Sequence, residues 1–397
     1  MSHRSREIQP VGGPLWTRPF KILLTLAGLG FVLIVWRFAV GLGPSTGLSD
    51  GYPWGLWIAF DVVTGTALAC GGYAVAILVY AFNQGRYHAL VRPAILTSAL
   101  GYTLAGLAIA IDVGRPWLIY RVPISVGKYN LNSALLEVAL CVMAYVVVLW
   151  IELMPAFLEK WKESERHGLR QFAEKTLPVL DKALLFIIAL GVLLPTMHQS
   201  SLGTVMLLAG PRLHPLWSSA LVPLLFLISC IAMGYAVVVM ESTLSSRVWG
   251  RKRETAMLAT LSRAMIVVLS LFFLLRLVDV IWRGQLGLVL RFDVYAWAFL
   301  VEMGLTAVAI GMLLRKGRLH NAGYLFQAAM VIVLAGTVYR FSTYLLAFRP
   351  GSQWSYFPTV PEILVTVGLV ASEVVVYIVL VKRFPILAGR APVRQPA

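Results

Sequence analysis

The sequence predicts an all-α integral membrane protein with about ten transmembrane helices, and three observations predict it. First, 59% of the residues are hydrophobic and 13% charged, with a mean hydropathy of +0.80. An ordinary soluble domain carries about 25% charged residues, and a chain this apolar has too little polar surface to face water. Second, ten apolar runs are long enough to span a hydrocarbon core of about 30 Å, which takes about 20 helical residues. Third, lysines and arginines gather on one side of the membrane those runs define.

The runs cover 20–41, 54–82, 93–111, 131–155, 179–197, 217–241, 257–282, 293–314, 323–347 and 361–384. Gly, Pro, Asn and charged residues separate them, as at helix ends. The first starts near Phe20 without a small-residue cleavage site, so it reads as a permanent helix. The second is long enough to tilt or overhang. The third is short and could continue to Arg115. The longest connection, 156–178, reads as a short surface helix. The domain plan is an N-terminal segment 1–19, a transmembrane domain 20–384 and a tail 385–397, with both ends cytoplasmic.

Of the 34 lysines and arginines, 23 fall on the side of the N terminus, seven on the opposite side and four (Arg37, Arg263, Arg276 and Arg340) inside spans. The net charge of +16 is therefore a topology signal rather than a nucleic-acid footprint. Below, "inner" means the side of the basic loops. Trp54, Trp57, Trp117, Trp217 and Trp354 near the outer ends read as an interfacial belt. Cys70, Cys141 and Cys230 lie in apolar runs without a metal-ligand spacing, and read as packing residues.

An internal repeat is legible. IDVGRPW (111–117) ends the third run and VDVIWRG (278–284) ends the seventh, and each precedes a run with an outer-half carboxylate, Glu137 or Glu302. Units of about 54–197 and 217–347, four helices each, explain the spacing. Four spans return the chain to the same side, so the repeat is parallel.

Ionisable groups inside a membrane are costly and call for a function. Asp61, Asp112, Arg115, Glu137, His198, Asp279 and Glu302 fall in the outer half, Tyr102 at mid-depth, and Glu152 and Glu241 at the inner side. Asp112 and Arg115, three apart, are spaced to pair on one helix face. Glu152 reads as a headgroup-level carboxylate near Lys160. His198 is expected at the outer edge of the fifth span, where a cap or loop-fixing role is the alternative. A bis-histidine haem needs ligands at membrane depth. Of the six histidines only His198 qualifies, so no haem is expected. What remains possible is an organic redox carrier. A quinone needs an apolar slot, donors near its carbonyls and protonatable groups, because reduction takes two electrons and two protons. Asp61, Asp112, Arg115 and His198 supply such a set.

The segments GYPWGLWIAFDVVTGTALACGGYA (51–74), RYHALVRPA (86–94), IDVGRPW (111–117), LPTMHQSSLG (194–203), HPLW (214–217) and YFPTVPE (356–362) resemble the polysulfide reductase NrfD family of membrane subunits. Within it they resemble the HybB-like, quinone-reactive branch that serves periplasmic uptake nickel–iron hydrogenases. The resemblance spans about residues 10–387. It implies two four-helix bundles with flanking helices in a bacterial cytoplasmic membrane, and an exchangeable menaquinone near the outer face. It further implies partners on the periplasmic side: a ferredoxin-like iron–sulfur subunit fed by hydrogenase small and large subunits. Some members are thought to couple quinone chemistry to proton movement, and Tyr102, Glu137 and Glu241 fall where such a relay would run. The family's b-type cytochrome label is at odds with the missing histidines. Rival readings are a quinol-oxidising subunit of a polysulfide, nitrite or tetrathionate reductase, a secondary transporter, and a passive anchor.

Overall fold

The computed structural model describes residues 9–251 and 254–387. Among them ten helices are long and apolar enough to span a membrane, one for each apolar run: α1 Arg18–Val40, α2 Trp57–Ala81, α3 Gly85–Asp112, α4 Ala134–Lys162, α5 His167–Arg212, α6 Val222–Val248, α7 Thr255–Trp282, α8 Val294–Leu314, α9 Ala322–Leu346 and α10 Val360–Arg383. The only extended pairing among the described residues is an isolated bridge between Leu213 and Phe348. Arg4, Arg6, Lys252, Arg253, Arg390 and Arg394, counted in the charge asymmetry, lie outside the described residues, as do His3, the rest of residues 1–8 and the tail from 388 on.

The helices pack in two rings and a pair. In the first ring α2 meets α3, α3 meets α4, α4 meets α5, and α5 returns to α2. In the second, α6, α7, α8 and α9 follow the same neighbour order. The rings join where α2 and α5 pack on α6. The chain's first and last helices, α1 and α10, pack on each other, and α10 also touches α2 and α3. Their crossing is tight. A Cβ on Gly30 would sit 2.7 Å from the Gly368 Cα, so only glycine lets these backbones meet.

Local sequence explains the helix ends. Ser133 caps α4 through the Leu136 amide. In YFPTVPE, Thr359 and Glu362 form a reciprocal capping box with a proline in the first turn, fixing the start of α10. Glu362 also accepts the Tyr356 hydroxyl at 2.8 Å and the Gly47 amide at 2.8 Å. This motif is thus an outer-loop staple. The carboxylate beside it, after burial itself, holds the Tyr356 phenol well above its ordinary range. Two spans carry π-helical turns, Trp57–Thr64 in α2 and Ser342–Leu346 at the end of α9. Such turns are rare and concentrate at functional positions.

Several expectations change. The connection 156–178 holds no separate surface helix. Helix α4 runs on to Lys162, and a single helix from His167 to Ala209 includes the rest. Its 43 residues extend about 65 Å, twice the hydrocarbon thickness. The third span begins earlier, at Gly85, and stops at Asp112. Trp57 and Trp217 are not belt residues, being 1% exposed in the interior, whereas Trp117 is exposed. All three cysteines are buried and free.

Candidate functional site: a polar seam in the first ring

The groups singled out from the sequence separate into three places. In the outer half, Asp61 stands in the π-helical turn of α2 and accepts the Thr366 hydroxyl of α10 at 2.7 Å. Asp112 is the last residue of α3, and one of its carboxylate oxygens is enclosed without a partner. The expected pairing with Arg115 does not form. The chain turns extended at Val113, so the i, i+3 geometry is lost, and Arg115 is exposed. The cation electrostatically coupled to Asp112 is Arg37 of α1. Arg37 is 3% exposed, donates to the Val113 carbonyl at 2.7 Å, and keeps its Nε unpartnered.

At mid-depth, His198 is not at the outer edge of its helix. Helix α5 continues 11 residues beyond it, about three turns, because the polar stretch HQSS stays helical inside the bundle. His198 Nε2 meets Thr66 Oγ1 at 3.3 Å. Gln199 donates to Thr66 at 3.0 Å and to the Tyr102 hydroxyl at 3.3 Å. Tyr102 also lies 3.6 Å from Cys70 Sγ and packs edge-on against Tyr145 of α4, centroids 4.5 Å apart. All of Thr66, Tyr102, His198 and Gln199 are fully buried. His198 Nδ1 and Gln199 Oε1 have no partner. Arg340 of α9 closes the seam, donating to the carbonyls of Val63 at 2.6 Å and Phe226 at 2.8 Å. No carboxylate neutralises it within ion-pair distance among the described residues.

At the inner side Glu241 accepts the Tyr377 hydroxyl at 2.6 Å. Tyr377, Glu373 and Thr366 recur at four and seven residues, so they share one face of α10. Glu373 reaches toward Gly101 of α3 and is electrostatically coupled to both Asp61 and Glu241. Glu137 stands apart, half-buried in the first turn of α4. Tyr145 lies eight residues, about 12 Å, further along the same helix.

Arg37, Thr66, Gln199, Thr366, Glu373 and Tyr377 have no role in the reading of the sequence alone. Thr66 and Gln199 lie in the segments 51–74 and 194–203 but are uncharged, so the cost argument passes over them. Arg37 was visible as an in-span cation.

Two outer recesses are lined by residues other than Asp61, Asp112, Arg115 and His198. One, of about 860 Å³, includes Tyr52, Arg283, Tyr295, Arg349 and Trp354. The other, of about 380 Å³, includes Trp54, Leu135, Val205 and Arg212. The donor set suits haem poorly. Among the described histidines His198 alone lies at membrane depth, and His214 is stacked on Tyr295 in an outer loop.

A family profile described as polysulphide reductase, NrfD matches residues 44–349. The chain is 41% identical, over 96% of both chains, to the probable Ni/Fe-hydrogenase 2 b-type cytochrome subunit of Escherichia coli K12. It is 28% identical to the integral membrane subunit of a menaquinone reductase from Nitratidesulfovibrio vulgaris, over 68% of this chain and 60% of that one. It is 25% identical, over 93% of both, to the integral membrane subunit of an Hdr-like menaquinol oxidoreductase from Archaeoglobus fulgidus. The ten-helix bundle with its polar seam therefore belongs to the NrfD polysulphide reductase family.

Proposed function

We propose that this chain is the quinone-reactive membrane subunit of a respiratory hydrogenase complex in the bacterial inner membrane. It takes electrons from a periplasmic ferredoxin-like iron–sulfur subunit, fed by hydrogenase small and large subunits, and passes them to exchangeable menaquinone without a resident haem. The observation that carries the reading is the outer-half set beside α1 and α10. Arg37 Nε and Asp112 Oδ1 are enclosed and unpartnered there, with Asp61 nearby on α2. Enclosed polar atoms without partners cost about 1–3 kcal/mol each, and a quinone carbonyl is a ligand that would satisfy a guanidinium N–H. Arg115, exposed just past the end of α3, and His198 on α5 complete the proposed set. The likeness to a hydrogenase-2 subunit over nearly the whole chain supports the hydrogenase as donor.

In this reading Arg37 orients and polarises the quinone, and Asp61 and Asp112 deliver protons to its oxygens. Glu241, Tyr102 and Glu137 form the proton relay. Glu241 is the inner terminus, Tyr102 the mid-depth hydroxyl and Glu137 the outer carboxylate. Tyr377 and Glu373 extend the Glu241 branch toward Asp61. Tyrosine, with an ordinary pKa near 10, serves by hydrogen bonding rather than as a free acid. The likeness to a menaquinol oxidoreductase subunit favours one second reading, in which the same site oxidises quinol and electrons flow outward.

The test is hydrogen-driven menaquinone reduction by the purified complex. The wild-type complex reduces quinone, and Asp112→Asn and Arg37→Met raise the quinone KM while hydrogen oxidation with a soluble dye is unchanged. A complex that oxidises hydrogen with dye but never passes electrons to quinone would sink the reading.

A further inference from the structure

The inner half of the first ring opens into a vestibule of about 600 Å³ walled by α2, α3, α4 and α5. Helix position orders its lining by depth. Near the inner ends stand His88, Lys162, Glu174 and the Arg92–Glu159 ion pair, closed at 2.5 Å. Asp181 is two turns deeper on α5. Deeper still stand Glu152, ten residues or about 15 Å from the inner end of α4, and Gly191 of α5 opposite it.

The expectation that Glu152 is a headgroup carboxylate beside Lys160 does not hold. Lys160 instead bonds the Arg383 carbonyl. Glu152 has no hydrogen-bond or ion-pair partner among the described residues, and its neighbours include the phenols Tyr80 and Tyr145. It lies against Gly191, where an added Cβ would come 2.4 Å from Glu152 Oε1, so the carboxylate would have to swing aside. An unpaired carboxylate at such depth costs several kcal/mol on helix-insertion scales, about 2.5–3.5. A merely structural residue would be cheaper as glutamine or leucine.

Beyond Glu152 the polar groups continue outward. Tyr145, seven residues away on the same face of α4, lines the vestibule and packs on Tyr102. From Tyr102 the hydrogen bonds run through Gln199 and Thr66 to His198. The series ends on His198 Nδ1 and Gln199 Oε1, enclosed and unpartnered.

We propose that this vestibule is an inner-face proton-uptake site, with Glu152 as the group that takes the proton from water and passes it outward past Tyr145 toward Tyr102. This rests on the quinone reading above. Each quinone reduced takes two electrons from the iron–sulfur partner and two protons. The vestibule supplies protons only, as Glu152 is protonated from water and then deprotonated toward Tyr145. It gives Tyr102 a second inner-side acid, Glu152, beside Glu241.

The experiment uses the whole complex in liposomes containing menaquinone, with a pH dye on the inner-face side and hydrogen as donor. Glu152→Gln is expected to lower quinone reduction and inner-face proton uptake about tenfold or more, with dye-linked hydrogen oxidation unchanged. Glu152→Asp should restore part of the rate. Gly191→Ala, harmless to a helix, should reproduce the loss by displacing the carboxylate, and decides the matter if Glu152→Gln fails to assemble. Wild-type uptake in both Glu152→Gln and Gly191→Ala overturns the uptake site. So does a wild-type complex that reduces quinone with no inner-face uptake, which leaves the quinone reading standing. A wild-type complex that cannot reduce quinone at all overturns that reading and the uptake site with it.

Discussion

The two rings share a neighbour order and, at matched positions, similar acids, yet they treat charge in opposite ways. At the matched outer positions of the second ring the acids are paired. Glu302 takes Arg276 Nε at 2.9 Å and the Trp217 indole N–H at 3.2 Å, all three buried. Asp279 holds Arg283 through two contacts, 2.7 and 3.1 Å, and accepts the Ser219 hydroxyl at 2.6 Å. In the first ring Asp112 keeps an oxygen free, Glu137 has no cation, and His198 and Gln199 keep unpartnered atoms. The lesson is that intramembrane charge alone does not mark chemistry. Charge whose partner lies in the same fold contributes to structure. Charge left open awaits a substrate or a proton. We propose that the rings are parallel copies, of which the second gave its two outer acids, Asp279 and Glu302, to architecture.

The contrast can be broken at its strongest point. Glu302→Gln leaves the Arg276 guanidinium buried and uncompensated, which costs about 3–5 kcal/mol. Loss of monodisperse, folded complex in detergent is expected, and the double variant Arg276→Met/Glu302→Gln should regain much of it. A stable Glu302→Gln single variant would mean the pair is not structural.

In the first ring the reverse is expected. Asp61→Asn should fold normally and slow quinone reduction about 100-fold, the scale of lost general acid catalysis. Thermal stability and turnover, measured on the same preparation, check both halves. A smaller effect is expected of Arg37→Met. Losing one charge-assisted hydrogen bond, about 1.5–3 kcal/mol, should raise the quinone KM about ten- to a hundredfold.

The smallest effect concerns the outer loops. His214 stacks on Tyr295 at 4.2 Å, and its Nδ1 accepts the Leu216 amide at 3.3 Å. Burial first, then Arg349, depress its pKa below the ordinary 6.5. The folded form holds it neutral while the unfolded chain would protonate, so stability here is lost as pH falls below about 6.5. Faster hydrogen exchange at Leu216 near pH 5 than at pH 7.5, after correction for intrinsic rates, is the expected sign. Unchanged protection would remove His214 as a pH-sensitive contact.

Much of the fold was legible because a bilayer makes the rule simple. Every span must be apolar, about 20 residues long and helical, and ten runs met those terms. The errors lie where that rule is silent. Polar residues inside a bundle look like a helix end, so HQSS was read as the outer edge of α5. A helix running past the membrane looks like a loop, so the sequence reads 156–178 as a connection with a short surface helix. Side chains of the site are legible when titratable, as Asp61, Tyr102 and His198 are, whereas Thr66 and Gln199 carry no such signal.

What the sequence determined by itself is the number of spans, their near boundaries and the family, because hydropathy and long motifs act along the chain. Partnership was decided by tertiary structure alone. Asp112 faces Arg37 rather than Arg115, since α3 stops where it does and α1 packs nearby. Glu302 is silenced by an arginine 26 residues away, and Glu152 lies against Gly191 of the neighbouring helix. Electrostatic cost inside a membrane depends on what lies within a few ångströms, and that distance is set by helices meeting across the bundle.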